Sequence, residues 1–183
     1  MRRFFAVLTP LILLSSGIVM AATPSHPRAQ PLGKFGGWEA VHILDQNNKY
    51  CYMAIAPTST VSTKPVKGRD PNVLFFITHW PTDNQKDGVT ISTGYSYKPG
   101  SKAIVSIDGK SYEMSTGGPG TGAESNMAWM EDDEQEASLA AAIRAGDTLT
   151  VKGTSKRGTV ITDTYNITGS AEAYSAITKA CGL

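Results

Sequence analysis

The sequence predicts a mainly β protein: a two-sheet β-sandwich, or a partly closed barrel, with one inserted helix and one C-terminal helix. Short segments of alternating apolar and polar residues recur along the chain and are separated by turn clusters, such as 45–48 and Asp108-Gly109. Apolar residues at helical spacing occur convincingly in two stretches, 132–145 and 170–180. We expect about eight to ten strands.

The first residues match a secretory signal peptide, predicted at 1–21. Arg2 and Arg3 precede an apolar run, and Ala21 supplies the small residue before the predicted cleavage site. A helical membrane anchor is the alternative, but the apolar run is short and is interrupted by Pro10. We therefore expect cleavage, with no membrane span left in the mature protein, and a location in the periplasm or cell envelope, or secreted.

The mature chain is predicted to have two parts. Residues 22–33 contain three prolines and form a Pro-rich tether, and residues 34–183 form a single β-rich domain. Lys and Arg number 17 against 16 Asp and Glu, so the chain is nearly neutral. This balance gives no electrostatic argument for nucleic-acid binding.

The only two cysteines, Cys51 and Cys181, are predicted to form one structural disulfide. Export favours oxidation of a lone cysteine pair. Cys51 shares a strand face with Met53 and Ile55, and Cys181 shares a helix face with Ile177. Packing those faces together brings the sulfurs close; two buried free thiols are the alternative.

Local signals define several elements in more detail. The run 73–80 is continuously apolar and predicts a strand buried on both faces, whereas 89–97 alternates and predicts a half-buried strand. The inserted helix is predicted to end with a left-handed Gly146. The C-terminal helix is predicted to start with Ser170 as its cap.

No catalytic residue, metal ligand set or cofactor motif is predicted. The three histidines, His26, His42 and His79, have no spacing at which two would share a metal. Asp163 is unusual because it shares a strand face with apolar residues, so it needs a partner. Arg157 and Arg69 are the candidate partners, and we predict a structural ion pair of Asp163 with Arg157. A hydrolase that uses His79 or Asp163 is the least favoured alternative.

Two loops are the candidate contact regions, since loops carry function on rigid β scaffolds. One is a basic loop within 57–71, and the other is the glycine-rich segment 116–123. The candidate contact residues are Lys64, Lys67, Arg69, Gly118 and Gly120.

Several stretches together carry a resemblance to a known family. They are Phe35-Gly36-Gly37-Trp38, Cys51 in the second strand, Arg69-Asp70-Pro71 before the strand at 73–78, the run 152–165, and the ending 176–181. Over roughly 34–181 the chain resembles the invasion-associated locus B family of exported bacterial proteins. The resemblance implies a periplasmic or envelope-associated protein of an alphaproteobacterium, and the founding member of the family is linked to host-cell invasion. It implies no catalytic residue and no cofactor.

The leading functional hypothesis is therefore an exported protein, not an enzyme, that acts by surface contact with an envelope or host protein. The alternative is a module that binds a small ligand or a peptide in an aromatic-lined pocket.

Overall fold

The computed structural model describes residues 28–44, 49–117 and 123–183. These residues form eleven strands, two α-helices and two short 3-10 turns. The strands are β1 (Arg28–Phe35), β2 (Trp38–Leu44), β3 (Lys49–Ile55), β4 (Ser59–Ser62), β5 (Leu74–Trp80), β6 (Gln85–Ser92), β7 (Lys102–Ile107), β8 (Lys110–Thr116), β9 (Met127–Trp129), β10 (Thr148–Thr154) and β11 (Val160–Asn166). The helices are α1 (Asp133–Ala145) and α2 (Ser170–Cys181), and the 3-10 turns are Pro81–Asp83 and Ala123–Asn126.

All eleven strands belong to one antiparallel sheet with the order β1-β2-β3-β5-β6-β9-β8-β7-β10-β11-β4. The mainly β prediction and the two helices are confirmed, but two separate sheets are not, and the sheet is not closed. Its distant strands nevertheless meet through side chains. The Phe75 ring on β5 lies 5.9 Å from the Tyr165 ring on β11. The Trp38 indole on β2 donates to the Ile167 carbonyl oxygen at 3.2 Å.

The first strand begins earlier than expected, because residues 28–33 form most of β1 rather than a tether. β1 pairs with β2, with a register shift between Pro31 and Gly33. β1 is an edge strand, and a proline is tolerated at an edge because its missing N–H is not needed by a second neighbour. The predicted signal peptide, 1–21, and the rest of the tether lie outside the described residues.

The core lies on the face predicted for β3, where Cys51, Met53 and Ile55 are all buried. β5 differs from its prediction. Phe75 and Ile77 are fully buried, whereas Leu74 and Phe76 on the opposite face are only half-buried. The run is apolar because its second face is partly covered, not because both faces are core.

Each helix is held by contacts that its sequence did not reveal. Gly146 follows α1 with an extended φ of −96°, not a left-handed one, and a Cβ there would lie 3.0 Å from Ile107 Cγ2. Ser170 does not cap α2; Gly169 is the N-cap, and the Ser170 hydroxyl donates to the Ile143 carbonyl at 2.8 Å. That bond ties α2 to α1.

The Cys51–Cys181 disulfide is confirmed. It joins β3 to the last residue of α2, with Cα atoms 6.0 Å apart and a sequence separation of 130. Neither cysteine is free. The predicted half-buried strand at 89–97 ends at Ser92, where the chain leaves the sheet. Residues 93–98, the connecting segment, then run beside two loops that form the candidate site.

Candidate functional site

The basic loop between β4 and β5 is fixed against the connecting segment. The Asp70 N–H donates to the Gly94 carbonyl at 2.9 Å, and Arg69 Nε donates to the Thr93 carbonyl at 2.8 Å. Gly94 has a φ of +68°, and a Cβ there would lie 2.3 Å from the Asp70 oxygen. The left-handed backbone and the close approach both require glycine.

The turn between β10 and β11 is fixed against the other end of the same segment. The Lys156 N–H donates to the Ser96 carbonyl, and the Lys98 N–H donates to the Thr154 carbonyl, each at 2.8 Å. Tyr97 also forms an antiparallel bridge with Ser155. One short segment therefore sets the distance between two basic loops that lie far apart in sequence.

Beneath these loops lies an ion pair that the sequence predicted with a different partner. Arg69 Nη2 lies 2.6 Å from Asp163 Oδ2, and Arg69 Nη1 lies 2.9 Å from Asp163 Oδ1. The Thr60 hydroxyl donates to Oδ1 at 2.6 Å. Asp163 pairs with Arg69 rather than Arg157, because β4 pairs with β11 and places Thr60 opposite Asp163, under the Arg69 loop.

The geometry of this pair is that of a strong bidentate contact. Asp163 is 1% exposed, so its carboxylate depends on these partners. Burial alone would lower the pKa of Arg69, but the hydrogen bonds and the negative charge of Asp163 outweigh it and raise that pKa. With Nε on Thr93 and both Nη atoms on Asp163, Arg69 is committed to the fold.

Three tyrosines lie around the ion pair. The Arg69 guanidinium carbon is 5.4 Å from the centre of the Tyr95 ring. Burial is the main cause that raises the pKa of Tyr95, Tyr97 and Tyr165. All three stay neutral phenols at physiological pH, so they add no negative charge to the site.

The two loops enclose a cavity of about 270 Å³, the basic pocket. It is lined by Pro65, Val66, Lys67, Gly68, Arg69, Tyr95, Ser96, Ser155, Lys156, Arg157 and Thr159. Four of these residues are cationic and none carries a carboxylate. Asp163 neutralises Arg69 from below, whereas Lys67, Lys156 and Arg157 are exposed and form no ion pair with any described residue. The pocket therefore presents about three uncompensated positive charges.

The predicted contact residues are only partly brought together. Lys67 and Arg69 line the basic pocket, but Lys64 does not, although it is exposed in the same loop. Gly118 and Gly120 lie outside the described residues. Sequence reasoning missed Thr60 and Lys156. Lys156 is adjacent to Arg157 in sequence, and this pair of basic residues was a signal that could have identified it. Nothing in the sequence around Thr60 indicates a role, because its contact with Asp163 depends on the pairing of β4 with β11.

His79, the other residue considered for catalysis, lies in a separate buried cluster beside the disulfide. Its Nδ1 accepts the Asp87 backbone N–H at 3.1 Å, which places the ring proton on Nε2. Nε2 lies 3.2 Å from the Thr178 hydroxyl, which itself donates to the Tyr174 carbonyl at 2.8 Å. The imidazole is thus a donor toward Thr178 and cannot accept its proton.

Burial is the main reason that His79 stays neutral. Burial, with Lys86 and Arg144 assisting, lowers its pKa, although Asp87 opposes this shift. Tyr174 packs edge-on against the imidazole at 5.1 Å between ring centres and donates a hydrogen bond to Asp87. His79 therefore acts as a neutral connector between β5, β6 and α2.

Across the described ranges, no set of three His, Cys, Asp or Glu side chains is placed to hold a metal ion. No helix in the part of the chain that the structure describes has the length and apolar character needed to cross a membrane.

No curated protein and no solved structure matches the chain. The family model described as "Invasion associated locus B (IalB) protein" matches residues 38–178. This match spans more than half of the chain and includes the two cationic segments of the basic pocket, so the protein belongs to the invasion-associated locus B family.

Proposed function

We propose that this protein is exported to the periplasm or cell envelope and acts there without catalysis, by binding an acidic partner at the basic pocket. Family membership and the disulfide fit a protein outside the cytoplasm. The observation that carries the contact role is the convergence of Lys67, Lys156 and Arg157 from two loops onto one cavity that has no carboxylate in its lining.

The pocket is suited to binding because its framework is fixed before a partner arrives. The connecting segment 93–98 holds both loops through backbone hydrogen bonds. The Arg69–Asp163 pair anchors the first loop to β11. A preorganised site loses less conformational freedom on association than a mobile loop does. Its positive potential speeds the encounter with an acidic partner and selects against basic ones.

The same contacts argue against hydrolysis at the two residues considered for it. Asp163 accepts from both Arg69 and Thr60, and it is buried beneath the pocket. His79 is also buried, and its tautomer prevents it from activating Thr178. Each side chain has a structural role that occupies the atoms a general base would need.

Crosslinking in intact cells tests this function. We expect the wild-type mature protein to form a crosslink to a specific envelope or host partner, and the triple variant K67E/K156E/R157E to lose it. The matched control is R28E/K49E/K179E, which changes the net charge equally at exposed residues outside the pocket. Equal loss in both variants, or retention in the pocket variant, would contradict a role for the basic pocket.

A further inference from the structure

The size of the basic pocket limits what it can hold. Its volume is about 270 Å³. Pockets for drug-sized ligands span roughly 300–1,000 Å³, so this one falls just below that range. The pocket itself therefore has room for one compact chemical group.

The charge of the pocket indicates a group with more than one negative charge. Lys67 approaches from the first loop, and Lys156 and Arg157 approach from the second. A single carboxylate would compensate one of about three positive charges. A phosphate monoester carries about −1.5 to −2 charges near pH 7 and presents three strong acceptor oxygens.

The donors in the pocket suit a tetrahedral oxyanion. Arg157 offers a planar fork that can bind two phosphate oxygens, and the two lysines offer mobile point charges. The Ser155 hydroxyl accepts the Thr159 N–H at 3.2 Å, and no described residue accepts a hydrogen bond from it. Its proton is available to a ligand.

Building on the proposed function, we propose that the basic pocket recognises a terminal phosphate monoester, held by Lys67, Lys156 and Arg157. Arg69 is a positioning residue, because its guanidinium is already committed to Asp163 and Thr93. The same group occurs on soluble sugar phosphates and on phosphomonoester lipid headgroups, so the two sources are separated by experiment.

The first experiment uses soluble probes at constant ionic strength, followed by calorimetry or by amide chemical shifts. Glucose 6-phosphate is expected to bind, whereas glucose and dimethyl phosphate, a monoanionic diester, are not. R157A should weaken binding by about tenfold, the effect of losing one charge-assisted contact. K49A, an exposed lysine outside the pocket, should leave it unchanged.

The second experiment uses vesicles that contain phosphatidic acid, a phosphomonoester lipid, or phosphatidylglycerol, a diester, matched for surface charge. Preference for phosphatidic acid that R157A abolishes assigns the group to lipid; binding of glucose 6-phosphate alone assigns it to a soluble ligand. The proposal is overturned if neither probe binds, if diester and monoester bind equally, or if R157A binds like wild type. The proposed function survives any of these results if the crosslinked partner is still lost in K67E/K156E/R157E.

Discussion

The Arg69–Asp163 cluster and the His79 cluster both bury polar side chains, but the first contains a charged pair and the second a neutral ring. Asp163 is buried as part of a full ion pair, with Thr60 as a third partner. His79 is buried as a neutral ring that links a backbone N–H to the Thr178 hydroxyl. The first cluster lies directly under the basic pocket, and the second lies beside the disulfide. The charged cluster anchors a loop of the basic pocket, whereas the neutral cluster links β5, β6 and α2 in the interior.

Removal of the disulfide, which lies beside the His79 cluster, should cause the largest loss of unfolding free energy. The C51A/C181A variant should lose about 4–5 kcal/mol of unfolding free energy, because a loop of this length restricts the unfolded chain strongly. Urea unfolding of the oxidised wild type and the variant measures the difference. Reduced wild type is the control and should resemble the variant. A loss below about 1 kcal/mol would show that α2 is held by packing alone.

The ion pair should give the next largest effect. D163A leaves the partly buried Arg69 guanidinium without its anion, and we expect a loss of about 3 kcal/mol in urea unfolding. The double variant R69M/D163L removes both charges and should recover much of that loss. If the single and double variants are equally unstable, then hydrogen bonding to Thr60, not charge, dominates the cluster.

The neutral state of His79 predicts that the stability of the protein depends on pH. The pKa of His79 is lowered in the folded protein, chiefly by burial, so the unfolded chain binds a proton first as the pH falls below about 6.5. Stability should therefore decrease from about pH 6.5 downward until the folded-state pKa is reached, by at most about 1.4 kcal/mol per pH unit.

Unfolding of wild type and H79Q between about pH 7 and pH 5 measures this dependence. The pKa of Glu136 is raised, mainly by burial, so its protonation makes the folded protein more stable as the pH falls. This contribution is the same in both proteins and cancels in the comparison. Parallel pH curves for the two proteins would mean that the fold does not lower the pKa of His79.

The smallest expected effect separates the two arginines of the basic pocket. R157A should change the unfolding free energy by less than about 0.5 kcal/mol, since the side chain is exposed and makes no ion pair with a described residue. R69A should destabilise the protein clearly, because it leaves Asp163 buried without its cation. Thermal unfolding of both variants tests this contrast. Equal destabilisation would mean that Arg157, like Arg69, stabilises the fold.

Local patterns predicted much of the fold. The alternation of Cys51, Met53 and Ile55 identified a core face, and the helical spacing of Ile177 and Cys181 identified its partner, so the disulfide followed. Residues 93–97 continued an alternating pattern, yet they leave the sheet. The reason is the close approach of Asp70 to Gly94, a contact between segments that no local pattern records.

The candidate site was harder to predict for the same reason. Lys67 and Arg157 were noted separately, but their proximity depends on backbone bonds from the connecting segment to both loops. The choice of Arg69 over Arg157 as the partner of Asp163 depends on the register of β4 against β11. Such long-range pairing is not encoded in the spacing of either strand alone.

The 130-residue interval between the two bonded cysteines also constrains the order of assembly. A polypeptide is made from its amino end, so the Cys51 thiol exists well before its mate has been synthesised. Until then the Cys51 thiol has no partner within the chain, and it can form a mixed disulfide by attacking a disulfide of another molecule, which releases a thiol. Correct maturation therefore requires that Cys51 be shielded by the early hairpin, or released from any mixed disulfide, until α2 arrives.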